Sequence, residues 1–123
     1  MFGSINIYFR QSPEALIKGK KEVMYYLASK GYNDNQIKLY LDAYDYFVVN
    51  PTDFDGATLV KDFYDIPGLD LDAMLHDYHY IRYNVATNFK YKKMADKLFL
   101  VGMLKKGKNI EASLRRYHAL NVS

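Results

Sequence analysis

The sequence predicts an all-α domain, and three observations carry that expectation. Apolar residues recur at three- and four-residue spacing in several stretches, and capping residues or Gly and Pro bound those stretches. Strand-like patterning does not extend beyond Ile5 to Phe9.

Ser12-Pro13-Glu14 reads as an N-cap, a first-turn proline and an acid. Leu16, Val23, Met24 and Leu27 then follow at helical spacing up to Gly31. Asn33 with Gln36 forms the sequence signature of a capping box. The helix it opens places Ile37, Tyr40, Leu41, Tyr44, Phe47 and Val48 on one face and stops at Asn50-Pro51. Residues 51–69, with two prolines, Gly56, Gly68 and scattered aspartates, read as a long loop with a short turn around Leu59 to Phe63.

Asp70 can cap a third helix. Its apolar stripe is Leu71, Met74, Leu75, Tyr78, Ile81 and Val85, and Asp72, His76, Tyr80 and Tyr83 lie on another side. After Asn88, the residues Met94, Ala95, Leu98 and Val101 or Gly102 mark a fourth helix to Lys105. A fifth runs from Glu111 to about Leu120. The expected organisation is one domain over 1–123: an N-terminal helical hairpin (1–50), a loop (51–69), a helix pair (70–105), and a C-terminal turn and helix (106–123).

With no cysteine among 123 residues, disulfides and thiolate metal sites are excluded, so packing must hold the fold. Thirteen tyrosines and no tryptophan imply hydroxyls that need partners inside the core. The N-terminal stretch lacks the pattern of a secretory signal, and no segment approaches the ~20 apolar residues of a membrane span, so an intracellular or virion-associated protein is expected. Charge is unevenly distributed. Residues 51–80 carry one lysine against seven aspartates, whereas 81–123 carry ten Lys and Arg against two acids. An acidic middle beside a basic tail suggests a cation site next to a surface that attracts anions.

His76 and Asp77 are adjacent on a helix, hence about 100° apart, and cannot form a simple acid-base pair. A histidine takes a proton from water best when a carboxylate fixes its other nitrogen. Asp96, the only acid between Asp77 and Glu111, is the candidate. If the third and fourth helices pack antiparallel about Asn88, His76 and Asp96 fall at similar heights. That leaves Asp77, which could bind a hard cation if carbonyls of the preceding glycine-bearing loop supply further oxygen ligands. His79 and His118 read as packing or surface residues.

These residues resemble those of the phospholipase A2 family, most closely its short, cysteine-free viral form found in parvovirus capsid proteins. The family's His-Asp-x-x-Tyr motif is present as His76-Asp77-Tyr78-His79-Tyr80, with Asp70 six positions before the histidine and Ala73 near the place of a small residue. Ala95-Asp96 through Phe99 matches the viral form's second helix, and Phe54-Asp55-Gly56-Ala57-Thr58 stands where the calcium loop belongs. That loop has one glycine where the family usually shows two or more, and the resemblance covers residues 54–100 only.

The resemblance implies calcium-dependent hydrolysis of the sn-2 ester of phospholipids. His76 would activate water, Asp96 would orient it, and Tyr80 would hydrogen-bond Asp96. Asp77 with Phe54, Gly56 and Thr58 would hold calcium, and Lys90, Lys92, Lys93 and Lys97 would seat the chain on an anionic bilayer. Two other classes fit the composition. One is a structural or interaction protein of a phage or virus that keeps a phospholipase-like scaffold. The other is a basic helical nucleic-acid binder using Tyr83, Phe89, Tyr91 and Tyr117, for which no recognition motif is present.

Overall fold

The computed structural model describes residues 7–54, 63–85 and 87–121. Among them are five α-helices: α1 (Pro13–Ser29), α2 (Asp34–Val49), α3 (Leu71–Arg82), α4 (Phe89–Lys105) and α5 (Ile110–Asn121). Short 3-10 turns at Tyr8–Arg10 and Pro51–Asp53 precede α1 and follow α2. Extended pairing among the described residues amounts to one isolated bridge, Ile66 to Leu69. No described helix is long and apolar enough to cross a membrane.

The expected caps form. Ser12 Oγ accepts from the Ala15 amide, and Asn33 and Gln36 complete a reciprocal capping box. Asp70 Oδ1 accepts from the amides of Asp72 and Ala73, and Asn109, a cap the sequence reading did not name, accepts at Oδ1 from that of Ala112. Each satisfies first-turn amides that the helix itself cannot pair. Gly31, Gly68 and Gly107 lie in turns at positive φ, where side-chain-bearing residues are strained.

Two apolar clusters flank α3. The larger joins Leu16, Val23 and Leu27 of α1, Ile37, Tyr44 and Phe47 of α2, and Leu71, Met74 and Leu75 of α3, with Phe9 and Phe54 plugging the end. The smaller joins Phe63, Ala73, Phe99 and Met103. Lying between them, α3 is buried on all sides from Leu71 to His76. The tyrosine hydroxyls find the partners their burial demands: Tyr8 and Tyr44 meet at 2.9 Å, Tyr44 donates to the Leu16 carbonyl, and Tyr40 to Asp72.

Helices α3 and α4 are antiparallel. Asp72 lies against Gly102, His76 against Phe99 and Asp96, Tyr80 against Asp96, and Tyr83 stacks on Tyr91 at 4.8 Å, so the register on α4 retreats as α3 advances. The α4-facing side of α3 is thus the polar face read from the sequence.

Several residues of the apolar patterns that mark the helices face outward. On α4 the buried residues are Ala95, Asp96, Phe99, Gly102 and Met103, while Met94, Leu98 and Val101 are 46–50% exposed. The inward face is turned by about one residue, and at Gly102 the absence of a side chain lets α4 approach Asp72 of α3 closely. Ile81 is exposed, and α3 ends at Arg82, before Val85. Met24 and Val48 also face outward.

Candidate active site

Asp96 occupies the interior turn of α4 that faces α3, with its side chain 1% exposed. Its Oδ1 lies 2.7 Å from His76 Nε2 and accepts from the Tyr80 hydroxyl at 2.5 Å. Its Oδ2 accepts from Lys92 Nζ at 2.8 Å. Burial pushes the Asp96 carboxyl up, but donation from Lys92, Tyr80 and His76 outweighs it and leaves the group below the ordinary carboxylate value. An ionised carboxylate accepts only, so His76 must carry its proton on Nε2. In the neutral ring, Nδ1 therefore bears a lone pair.

The imidazole is fixed from both sides, since the Tyr80 ring lies 4.3 Å and the Phe99 ring 4.9 Å from it, centroid to centroid. Nδ1 points to the Asp77 side, 3.9 Å from Asp77 Oδ1, which is too long for a hydrogen bond. The Asp77 side chain is 16% exposed. Burial, then the bond to Asp96, pushes the Tyr80 hydroxyl up, so it stays a donor. His79, one turn on, is buried and its ring is pushed down to about 4, first by desolvation and then by the nearby His76 and Arg82. It is a neutral packing residue, and His118 is exposed.

The structure thus brings His76, Tyr80 and Asp96 together, with Asp77 beside them. Of the expected calcium-loop residues, Phe54 is buried against Phe9 and Phe47, while Gly56 and Thr58 lie outside the described residues. Of the expected calcium ligands, the Asp77 carboxylate is the one placed beside the reactive nitrogen, whereas the described carboxylates that gather within 4.8 Å of one another are Asp65, Asp70 and Asp72, away from His76.

Sequence reasoning missed two features here. Lys92, grouped with the surface lysines, turns inward and binds both Asp96 and the Leu120 carbonyl at 2.9 Å. Its position four residues before Asp96 is the signal that could have revealed it. The second feature is a buried charge cluster under the α3 N-terminus. Asp65, Asp70 and Asp72 surround the Lys108 ammonium at 3.2, 3.1 and 2.7 Å, with Lys106 on Asp72 and Arg116 on Asp70. Those acids meet only through the fold of a loop and two helices. Comparison with protein-family models, with curated proteins and with solved structures finds no match to this chain.

Proposed function

We propose that this chain hydrolyses the sn-2 ester of membrane phospholipids by a calcium-dependent, phospholipase A2-like reaction. The observation that carries the reading is the 2.7 Å contact of His76 Nε2 with a buried, ionised Asp96, which leaves Nδ1 as the basic nitrogen. A water at Nδ1 would lose its proton to His76 as its oxygen attacks the ester carbonyl. Asp96 would stabilise the imidazolium that forms, and the proton would then pass to the leaving alkoxide. Tyr80 and Lys92 keep the Asp96 carboxylate in place, so the ring meets each turnover in the same tautomer.

Asp77, with carbonyls of the loop at 54–58, would hold calcium. Bound there, calcium would polarise the ester carbonyl and stabilise the oxyanion. The outward face of α4 supports a membrane partner, because exposed Met94, Leu98 and Val101 alternate with Lys90, Lys93 and Lys97. That mixture suits the interface of an anionic bilayer.

The test is fatty-acid release from phospholipid vesicles in calcium. Activity should vanish in chelator and fall ~10²- to 10⁴-fold in His76→Ala, the usual worth of a general base. A folded protein that releases no fatty acid at millimolar calcium would refute the reading.

A further inference from the structure

A cleft of about 430 Å³ between the first half of α4 and the end of α5 is lined by Phe89, Lys92, Lys93, Lys97 and Tyr117. Phe89, Lys93 and Lys97 are spaced by four and form one ridge along α4. Lys92 is held by Asp96 and the Leu120 carbonyl. Neither Lys93 nor Lys97 meets a carboxylate among the described residues, and the nearest aromatic partner of Lys93 is the Phe89 ring at 5.1 Å. Two like charges four residues apart on a helix repel, a cost that a bound anion would reverse.

The backbone adds to this field. The N-cap residue of α4, Asn88, makes no side-chain capping bond, and the first turn contains no acid, so the positive end of a 17-residue helix dipole lies beside the lysines. The volume exceeds that of a bare phosphate, and the Phe89 and Tyr117 rings offer a wall to an organic substituent.

From this we propose that the α4–α5 cleft binds an organic phosphate monoester, with its dianion between Lys93 and Lys97 and its organic part against Phe89 and Tyr117. The site is distinct from Nδ1 of His76 and does not depend on the hydrolase reading. The phosphate can belong to a soluble ester or to a lipid headgroup.

The experiment is amide NMR and calorimetry on the full chain at fixed ionic strength. The probes are inorganic phosphate, glycerol 3-phosphate and phenyl phosphate, then phosphatidylcholine vesicles with and without phosphatidic acid. Saturable shifts at Phe89, Lys93, Lys97 and Tyr117 with the soluble esters, tighter than with inorganic phosphate, would support a free ester as ligand. Saturable binding to vesicles with phosphatidic acid that exceeds binding to vesicles of equal charge made with phosphatidylglycerol, a phosphodiester, would support a headgroup as the source; equal binding to both would show only attraction to an anionic surface and overturn this arm. For either source Lys93→Gln/Lys97→Gln should weaken binding about tenfold or more, as expected for lost charge-assisted bonds, whereas Lys105→Gln should not. No saturable shift with any of these probes, or binding that falls equally in Lys105→Gln, would overturn the proposal. Fatty-acid release plays no part in these readouts, so the two proposals fail separately.

Discussion

Lys108→Met removes one charge from the cluster beneath α3 and keeps nearly the same length of side chain. In the native protein three carboxylates, Asp65, Asp70 and Asp72, face three cations, Lys106, Lys108 and Arg116. After the substitution Asp72 keeps Lys106 at 2.7 Å and Asp70 keeps Arg116 at 3.0 Å, but Asp65 loses the cation it meets among the described residues. It retains the Leu71 amide at 2.8 Å and the Tyr26 hydroxyl at 3.0 Å. Breaking a buried pair by removing one partner costs about 3–5 kcal/mol. A ceiling comes from protonation: neutralising a carboxyl of ordinary pKa at pH 7 spans about three units at ~1.4 kcal/mol each, or roughly 4 kcal/mol.

Burial already raises the Asp65 carboxyl above its ordinary value, outweighing Lys108, so protonation relieves the variant as pH falls. At pH 5 the ceiling drops to about 1.5 kcal/mol. The lysine itself has the opposite linkage. Desolvation lowers its ammonium, but Asp72, Asp70 and Asp65 together raise it above the usual lysine value. Its contribution is therefore complete below the unfolded lysine pKa and is lost as pH rises through the folded one. Urea unfolding of both proteins at pH 7 and pH 5 measures these differences, with Lys20→Ala as control for an exposed pair, which should cost no more than about 0.5 kcal/mol. A loss below about 1 kcal/mol at pH 7, or one that does not shrink at pH 5, would show that the cluster is solvated and contributes little.

Two further outcomes follow from the α3–α4 contact. Gly102→Ala puts a methyl group inside the contact radius of Asp72 Oδ1, so either α4 moves outward or the Asp72 carboxylate leaves its bonds to Lys106 and Tyr40. The expected cost is about 2–3 kcal/mol in urea unfolding, with weaker coupling of His76 to Asp96 visible in imidazole NMR. Asp96→Asn removes a carboxyl held below its ordinary value, a group whose stabilisation is present above the unfolded pKa and lost as pH falls through the folded one. The wild type should therefore lose more stability than the variant when scanned from pH 5 downward by circular dichroism, and the proposed hydrolysis should be abolished in the variant.

The helices and most of their caps are local properties, and the sequence by itself determined them. Ser12, the Asn33–Gln36 box and Asp70 act within one turn of their own backbone, and the 3.6-residue period of Leu16, Val23 and Leu27 records which face meets the core. The His76–Asp96 pairing was legible for a related reason. One acid stands alone in a basic stretch, and a short turn leaves an antiparallel neighbour little freedom of register.

What only the tertiary structure decided depends on distances between segments remote in sequence. The rotation of α4 about its axis, with Gly102 close against Asp72, buried Asp96 and exposed Met94, Leu98 and Val101. The inward turn of Lys92 and the meeting of Asp65, Asp70 and Asp72 with Lys108 depend likewise on where the chain returns. Charges on solvated faces and charges in buried pairs read alike along a sequence, because only the surrounding low dielectric distinguishes them.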